Sequence, residues 1–277
     1  MKRPMKSAKP VLQTFLGVVV TVFYLFPVYW VIVNSLKERS ELFSPAVTLF
    51  PQKITFYGYA RAIEVGVLRY LVNSTVIATA TMVMTLLLAT IGAYAMTRIK
   101  SNWVNWTLIL FLVAQMVPDV LVVTPLYLIF RSLGLLDNYL GLVIANTSRA
   151  LPLAIIVMRT VMLTVPRSLE EAAKIDGCTI SSLLTRIVVP IAKPGLVVTG
   201  TIAFLMAFGE FVYAVSFITR EAMYPISAGL YVFTASLYGQ EWNSAMAYAT
   251  LLVAPVLIAF LGFQKQIVSG LTQGALK

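Results

Sequence analysis

The chain has no histidine and a single cysteine, Cys178, in 277 residues. Without histidine there is no Ser-His-Asp triad, no histidine metal site and no imidazole proton relay. One cysteine excludes an internal disulfide. Gly-x-x-x-x-Gly-Lys-Ser/Thr is missing too, so no phosphate-cradling loop for ATP is visible. Charge is scarce: 12% of the residues are charged, where soluble domains carry about 25%. No internal repeat and no low-complexity tract occurs.

What is present is apolar, and it comes in blocks. Hydrophobic residues make up 59% of the chain, more than a soluble protein of this length could keep off its surface. The net charge of +10 does not point to nucleic acid, because the basic residues sit mainly at the ends of apolar blocks, where they orient a chain in a bilayer. Lys2, Arg3, Lys6 and Lys9 precede an apolar run too long for a signal peptide, which reads as a retained first helix.

A span needs about 20 apolar residues. Six are predicted, over residues 11–34, 70–97, 104–124, 139–158, 196–219 and 245–263, in a single transmembrane domain of 1–277. Long continuous runs favour helices over barrel strands, which alternate with a period of two. The expected fold is an all-α integral membrane protein. With the N-terminus inside, cytoplasmic segments hold 13 Lys and Arg and outer segments 7, with Arg149 inside the fourth span. That bias predicts both termini in the cytoplasm.

Residues 159–194 are predicted to form a cytoplasmic loop, and they carry the sharpest local signals. Ser168 followed by Glu171 reads as a capping box. Glu170 and Glu171 fall in a first turn, where the helix dipole favours negative charge. Gly177 suits the left-handed residue that ends a helix. A short rigid helix from Ser168 to Gly177 is therefore expected, with Leu169, Ala172, Ala173 and Asp176 on one face. A second helix is expected from about Thr179, carrying Leu183, Leu184, Ile187 and Val188 up to Pro190. Spacing alone leaves two readings open, a capped loop helix or a docking element.

The run Glu171-Ala172-Ala173, Asp176-Gly177, then Ile187, Pro190 and Pro194-Gly195 resembles the "EAA" loop of ABC importer permeases. Nine residues separate Gly177 from Ile187, as in the family, and Val189 replaces the usual Leu. Asn73-Ser74, then Ala93-Tyr94-Ala95 with Arg98, and the tail from Gln264 to Lys277 are similar to carbohydrate-type members. Among paired permeases the chain looks like the smaller subunit, related to the one in maltose importers, and the likeness spans the whole chain. The resemblance implies a type I ABC importer permease fold in a bacterial or archaeal inner membrane, surrounded by lipid. It implies three kinds of partner: a second homologous permease, two cytoplasmic ATPase subunits and an extracytoplasmic solute-binding protein. ATP and Mg²⁺ would sit on the ATPase subunits, with no cofactor on this chain. Ser168, Leu169, Glu170, Glu171, Ala172, Ala173, Asp176, Gly177, Ile187 and Pro190 would couple the permease to the ATPase.

Ionisable groups inside spans are costly and usually face a bundle interior. Asp119, Arg149 and Glu210, with Gln115 one turn before Asp119, are candidates for a sugar path; a structural ion pair is the alternative. Phe208-Gly209 before Glu210 departs from the family pattern. Pro118 and Pro125 predict an interrupted third span. In the expected outer loop Arg220–Ser244, Tyr224, Tyr231, Phe233, Tyr238 and Trp242 suit either a binding-protein contact or a membrane-interface belt. A secondary transporter would more often show repeats and broken midplane helices. A membrane enzyme would need a nucleophile with a base, or a metal cluster.

Overall fold

The computed structural model describes residues 9–236 and 241–275. Among them the regular structure is helical, apart from one isolated antiparallel bridge between Lys37 and Ile54. Two compact units are present, one of Met1–Val67 with Val232–Val253, the other of Leu68–Tyr231 with Ala254–Lys277.

The first unit contains α1 (Lys9–Ser35), α2 (Arg39–Leu42) and α3 (Tyr57–Glu64). The second is built from α4 (Val67–Arg98), α5 (Asn102–Ala114), α6 (Asp119–Ser132) and α7 (Tyr139–Met162). It continues through α8 (Arg167–Ile175), α9 (Ile180–Leu183), a π-helical turn (Leu184–Val188) and α10 (Val189–Ile191). Next come α11 (Lys193–Phe208), α12 (Val212–Phe217) and a 3₁₀ turn (Glu221–Met223). Helices α13 (Ile226–Ser236) and α14 (Trp242–Ala275) close the order.

Among the described residues, four helical stretches are long and apolar enough to cross a bilayer: Gln13–Ser35, Val67–Arg98, Tyr139–Met162 and Trp242–Gly262. Two bent pairs bring the number to six if each is one span: α5 with α6 at 99°, and Ile180–Ile191 with α11 at 84°. Most of α1 displays large apolar side chains, Phe15, Val22 and Phe23 among them. Such a surface is stable in hydrocarbon or against another apolar helix.

Two expected spans are broken. The third opens between Ala114 and Asp119. Pro118 there is extended, with ψ 136°, and a proline disfavours helix in the residue before it. The expected fifth span, 196–219, is not one helix: α11 stops at Phe208 and α12 starts at Val212. The Glu210 carboxylate takes the N–H groups of Tyr213 and Ala214 at 2.7 and 3.0 Å, and so caps the restarted helix.

Among the described residues the second unit shows these two apolar centres. One gathers Ala89 and Ala93 of α4, Met158 and Met162 of α7, Ala173 of α8, Leu183 of α9, and Val188. The other joins Ile77 of α4, Phe130 of α6, Leu142 of α7 and Phe217 of α12. Small residues allow close approach: a Cβ added at Gly195 of α11 would lie 2.4 Å from Val161 of α7.

Candidate functional site

Helix α8 is ended by its own sequence. Gly177 has φ +80°, a conformation glycine adopts without a Cβ clash. The Gly177 N–H donates to Lys174 O at 3.1 Å and the Cys178 N–H to Ala173 O at 2.9 Å. Those two bonds together form a Schellman motif and satisfy carbonyls the helix would otherwise leave bare. Its other end differs from expectation. Pro166, not Ser168, occupies the N-cap position, and no side chain caps the helix. The extended Pro166 (ψ 131°) places Ser168 inside the first turn, so the capping box with Glu171 does not form.

The faces of α8 are also distributed differently. Leu169, Glu171, Ala172 and Asp176 are exposed, and Ile175 is 87% exposed. Ala173, expected on that outer face, is instead buried in the apolar centre with Met158 and Leu183. Glu170 shares the inward side and is only 3% exposed. The Arg98 Nε donates to both Glu170 carboxylate oxygens at 3.0 Å, and its Nη2 pairs with Oε1 as well. The Tyr94 hydroxyl donates to Glu170 at 3.1 Å, and the Arg167 guanidinium donates to Thr97 O at 3.0 Å. Burial works to raise the Glu170 carboxyl, but the Arg98 and Tyr94 hydrogen bonds outweigh it and hold the group below the ordinary carboxylate value. The charges are compensated because a buried carboxylate without a partner would be expelled or neutralised. The result is a stiff helix locked to the end of α4, with an unpaired outer face.

Following α8, Ile187 sits in the π-helical turn and packs against the same apolar centre. Pro190 lies in α10 and is exposed.

A cavity of about 390 Å³ opens at the break between α5 and α6, with Gln115, Asp119, Ser148, Arg149, Pro152, Met206 and Tyr213 on its wall. Arg149 of α7 pairs with Asp119, the first residue of α6, at 2.9 Å. The Tyr213 hydroxyl donates to the other Asp119 oxygen at 3.3 Å. The Gln115 amide donates to Arg149 O at 2.9 Å. Three of the four expected path residues are therefore together. Glu210 is not on that wall: it is buried, and its carboxylate is committed to capping α12.

The expected aromatic surface does not hold together. Phe233 is buried and stacks on Tyr248 at 5.4 Å, which removes it from any contact surface. Tyr224 is half-buried beside Tyr70. Tyr231 and Trp242 are exposed, Tyr231 on α13, a helix within the stretch read as an outer loop. Tyr238 lies outside the described residues.

The sequence reading missed Tyr213 and the pairing of Arg98 with Glu170. A signal for the first existed, since Tyr213 follows Glu210 by three residues. None existed for the second, whose partners lie 72 positions apart.

Such an arrangement, a multi-pass apolar bundle with a polar cavity and one exposed locked helix, belongs to a membrane transport component. The profile of the binding-protein-dependent transport system inner membrane component family matches residues 86–273, and the chain belongs to that family. It is 33% identical over 272 residues to the sulfoquinovosyl glycerol transport system permease protein SmoH of Agrobacterium fabrum, covering 98% of this chain and 95% of the relative. It is 33% identical to the trehalose/maltose transport system permease protein MalG of Thermococcus litoralis, covering 97% of each. A chain in the crystal structure of a bacterial ABC transporter involved in the import of the acidic polysaccharide alginate superposes with a TM-score of 0.77 at 21% identity. That match covers 96% of this chain and 99% of the other. It shows the same fold.

Proposed function

We propose that this chain is one of two permease subunits of an ATP-driven importer for a sugar or oligosaccharide, working by alternating access. Both termini would lie in the cytoplasm of a bacterium or archaeon, with a solute-binding protein delivering cargo outside. Two ATPase subunits would hold ATP and Mg²⁺ and grip α8 by its outer face of Leu169, Ala172, Ile175 and Asp176. Support comes from the lock of α8 onto α4 through Arg98 and Glu170, since a helix so fixed transmits displacement to the spans. Relatives named for sugars, such as diacetylchitobiose and trehalose, support the cargo class.

The test is purification of the tagged chain from its native membrane, followed by reconstitution. An ATPase and a second permease should accompany it, and vesicles given the binding protein should take up a sugar only with ATP. Uptake driven by an ion gradient without ATP, or a chain that purifies with no ATPase, would refute the proposal.

A further inference from the structure

The cavity between α5, α6 and α7 has a charge arrangement that selects among sugars. Its wall carries one cation and one anion, and these face each other at 2.9 Å. The Arg149 side chain is 33% exposed and that of Asp119 26%, so part of the pair stays open to the cavity. An ionised pair retains donors and acceptors beyond its mutual contact. Vicinal hydroxyls, each able to donate and accept, can use both. A carboxylate or sulfonate would meet the Asp119 charge and would have to weaken the pair to reach Arg149.

The remaining wall fits the same ligand. Met116, Val117 and Pro152 supply apolar surface, and the Ser148 hydroxyl donates to Ala145 O, which leaves its lone pairs for a ligand hydroxyl. No ring face is offered: Tyr213 is buried and stacked on Phe217 at 5.6 Å. Without a stacking platform the contact is weak, as suits passage. The volume lies at the lower end of the roughly 300–1,000 Å³ common for small-ligand sites.

We infer that this cavity is a subsite for an uncharged, hydroxyl-rich sugar unit, and that the Asp119–Arg149 pair excludes anionic sugars. The inference rests on the permease reading. The test uses the assembled transporter carrying Cys178→Ser and Ser148→Cys, and measures the rate of maleimide labelling. The probes are maltose and trehalose as neutral disaccharides and digalacturonate as an acidic one of similar size. Maltose or trehalose should slow labelling several-fold, while digalacturonate should not. Asp119→Asn, which releases Arg149, should reverse that order. Arg149→Gln serves as a second variant, in which glucosamine should become the better protector. Equal protection by acidic and neutral sugars, protection by none, or an unchanged order in whichever of these two charge variants co-purifies with its partners would overturn the inference. Failure of the permease reading would show differently, as the absence of ATP-dependent uptake in the unmodified complex.

Discussion

Removing the Glu170 carboxylate should unfasten α8 from the bundle while leaving the bundle folded. Glu170→Ala takes away the partner of Arg98 and the acceptor of the Tyr94 hydroxyl. The two charged side chains are 4% and 17% exposed, so solvent repays little of the loss. Breaking a buried pair by deleting one partner costs about 3–5 kcal/mol, equivalent to a shift of about 10²–10⁴ in the attachment of α8. Amide hydrogen exchange reads this directly. Exchange within Arg167–Ile175 should accelerate by a similar factor, while the middle of α7 stays protected. In the reconstituted complex the same variant should hydrolyse ATP without transport. The exchanged pair Arg98→Glu with Glu170→Arg should recover part of both. Because the folded Glu170 carboxyl lies below its ordinary value, the lock is complete above that ordinary value, about 4.3. It is lost as pH falls through the lower folded one. Thermal stability of wild type should therefore exceed that of Glu170→Ala at neutral pH, and the gap should narrow once pH falls below the ordinary carboxylate value. Unchanged exchange in α8, with normal uptake, would refute the reasoning.

Gly195→Ala should destabilise by about 1–3 kcal/mol through overpacking, since its Cβ would meet Val161 at 2.4 Å. Adding Val161→Ala should restore the yield of folded protein seen on gel filtration. Gly177→Ala should cost about 1–2 kcal/mol of left-handed strain without steric conflict, because nothing lies within 4 Å of its Cβ position. Melting curves of the two glycine variants should differ in whether a second substitution rescues them. Glu210→Ala should lose an N-terminal cap worth about 0.5–2 kcal/mol and leave the Tyr213 and Ala214 N–H groups bare. Faster exchange at those two amides, with α7 unaffected, is the expected result.

Four long apolar helices were legible because bilayer thickness imposes a length that composition alone reveals; the third and fifth apolar runs proved not to be single helices. The end of α8 was legible as well, since Gly177 is a local signal for a local conformation. Its beginning was not: Ser168 and Glu171 satisfy a spacing rule, but Pro166 starts the helix earlier, and Ala173 packs inward. The cavity was half-legible. Asp119 and Arg149 stood out as charges inside apolar runs, and Pro118 announced the break beside them. Glu210 gave the same signal for a different reason, since a carboxylate serves a helix restart as readily as a passage. Phe233 looked like a surface aromatic only because the helix that carries it, α13, falls where a loop was expected.

The most direct test of the lever is a cross-link from its outer face. With Cys178→Ser and Ala172→Cys in the assembled transporter, a short bifunctional thiol reagent should join this chain to the ATPase subunit, and an impermeant maleimide should reach the site only from the cytoplasmic side. Labelling from outside intact cells, or no cross-link to any ATPase in the active complex, would contradict the account.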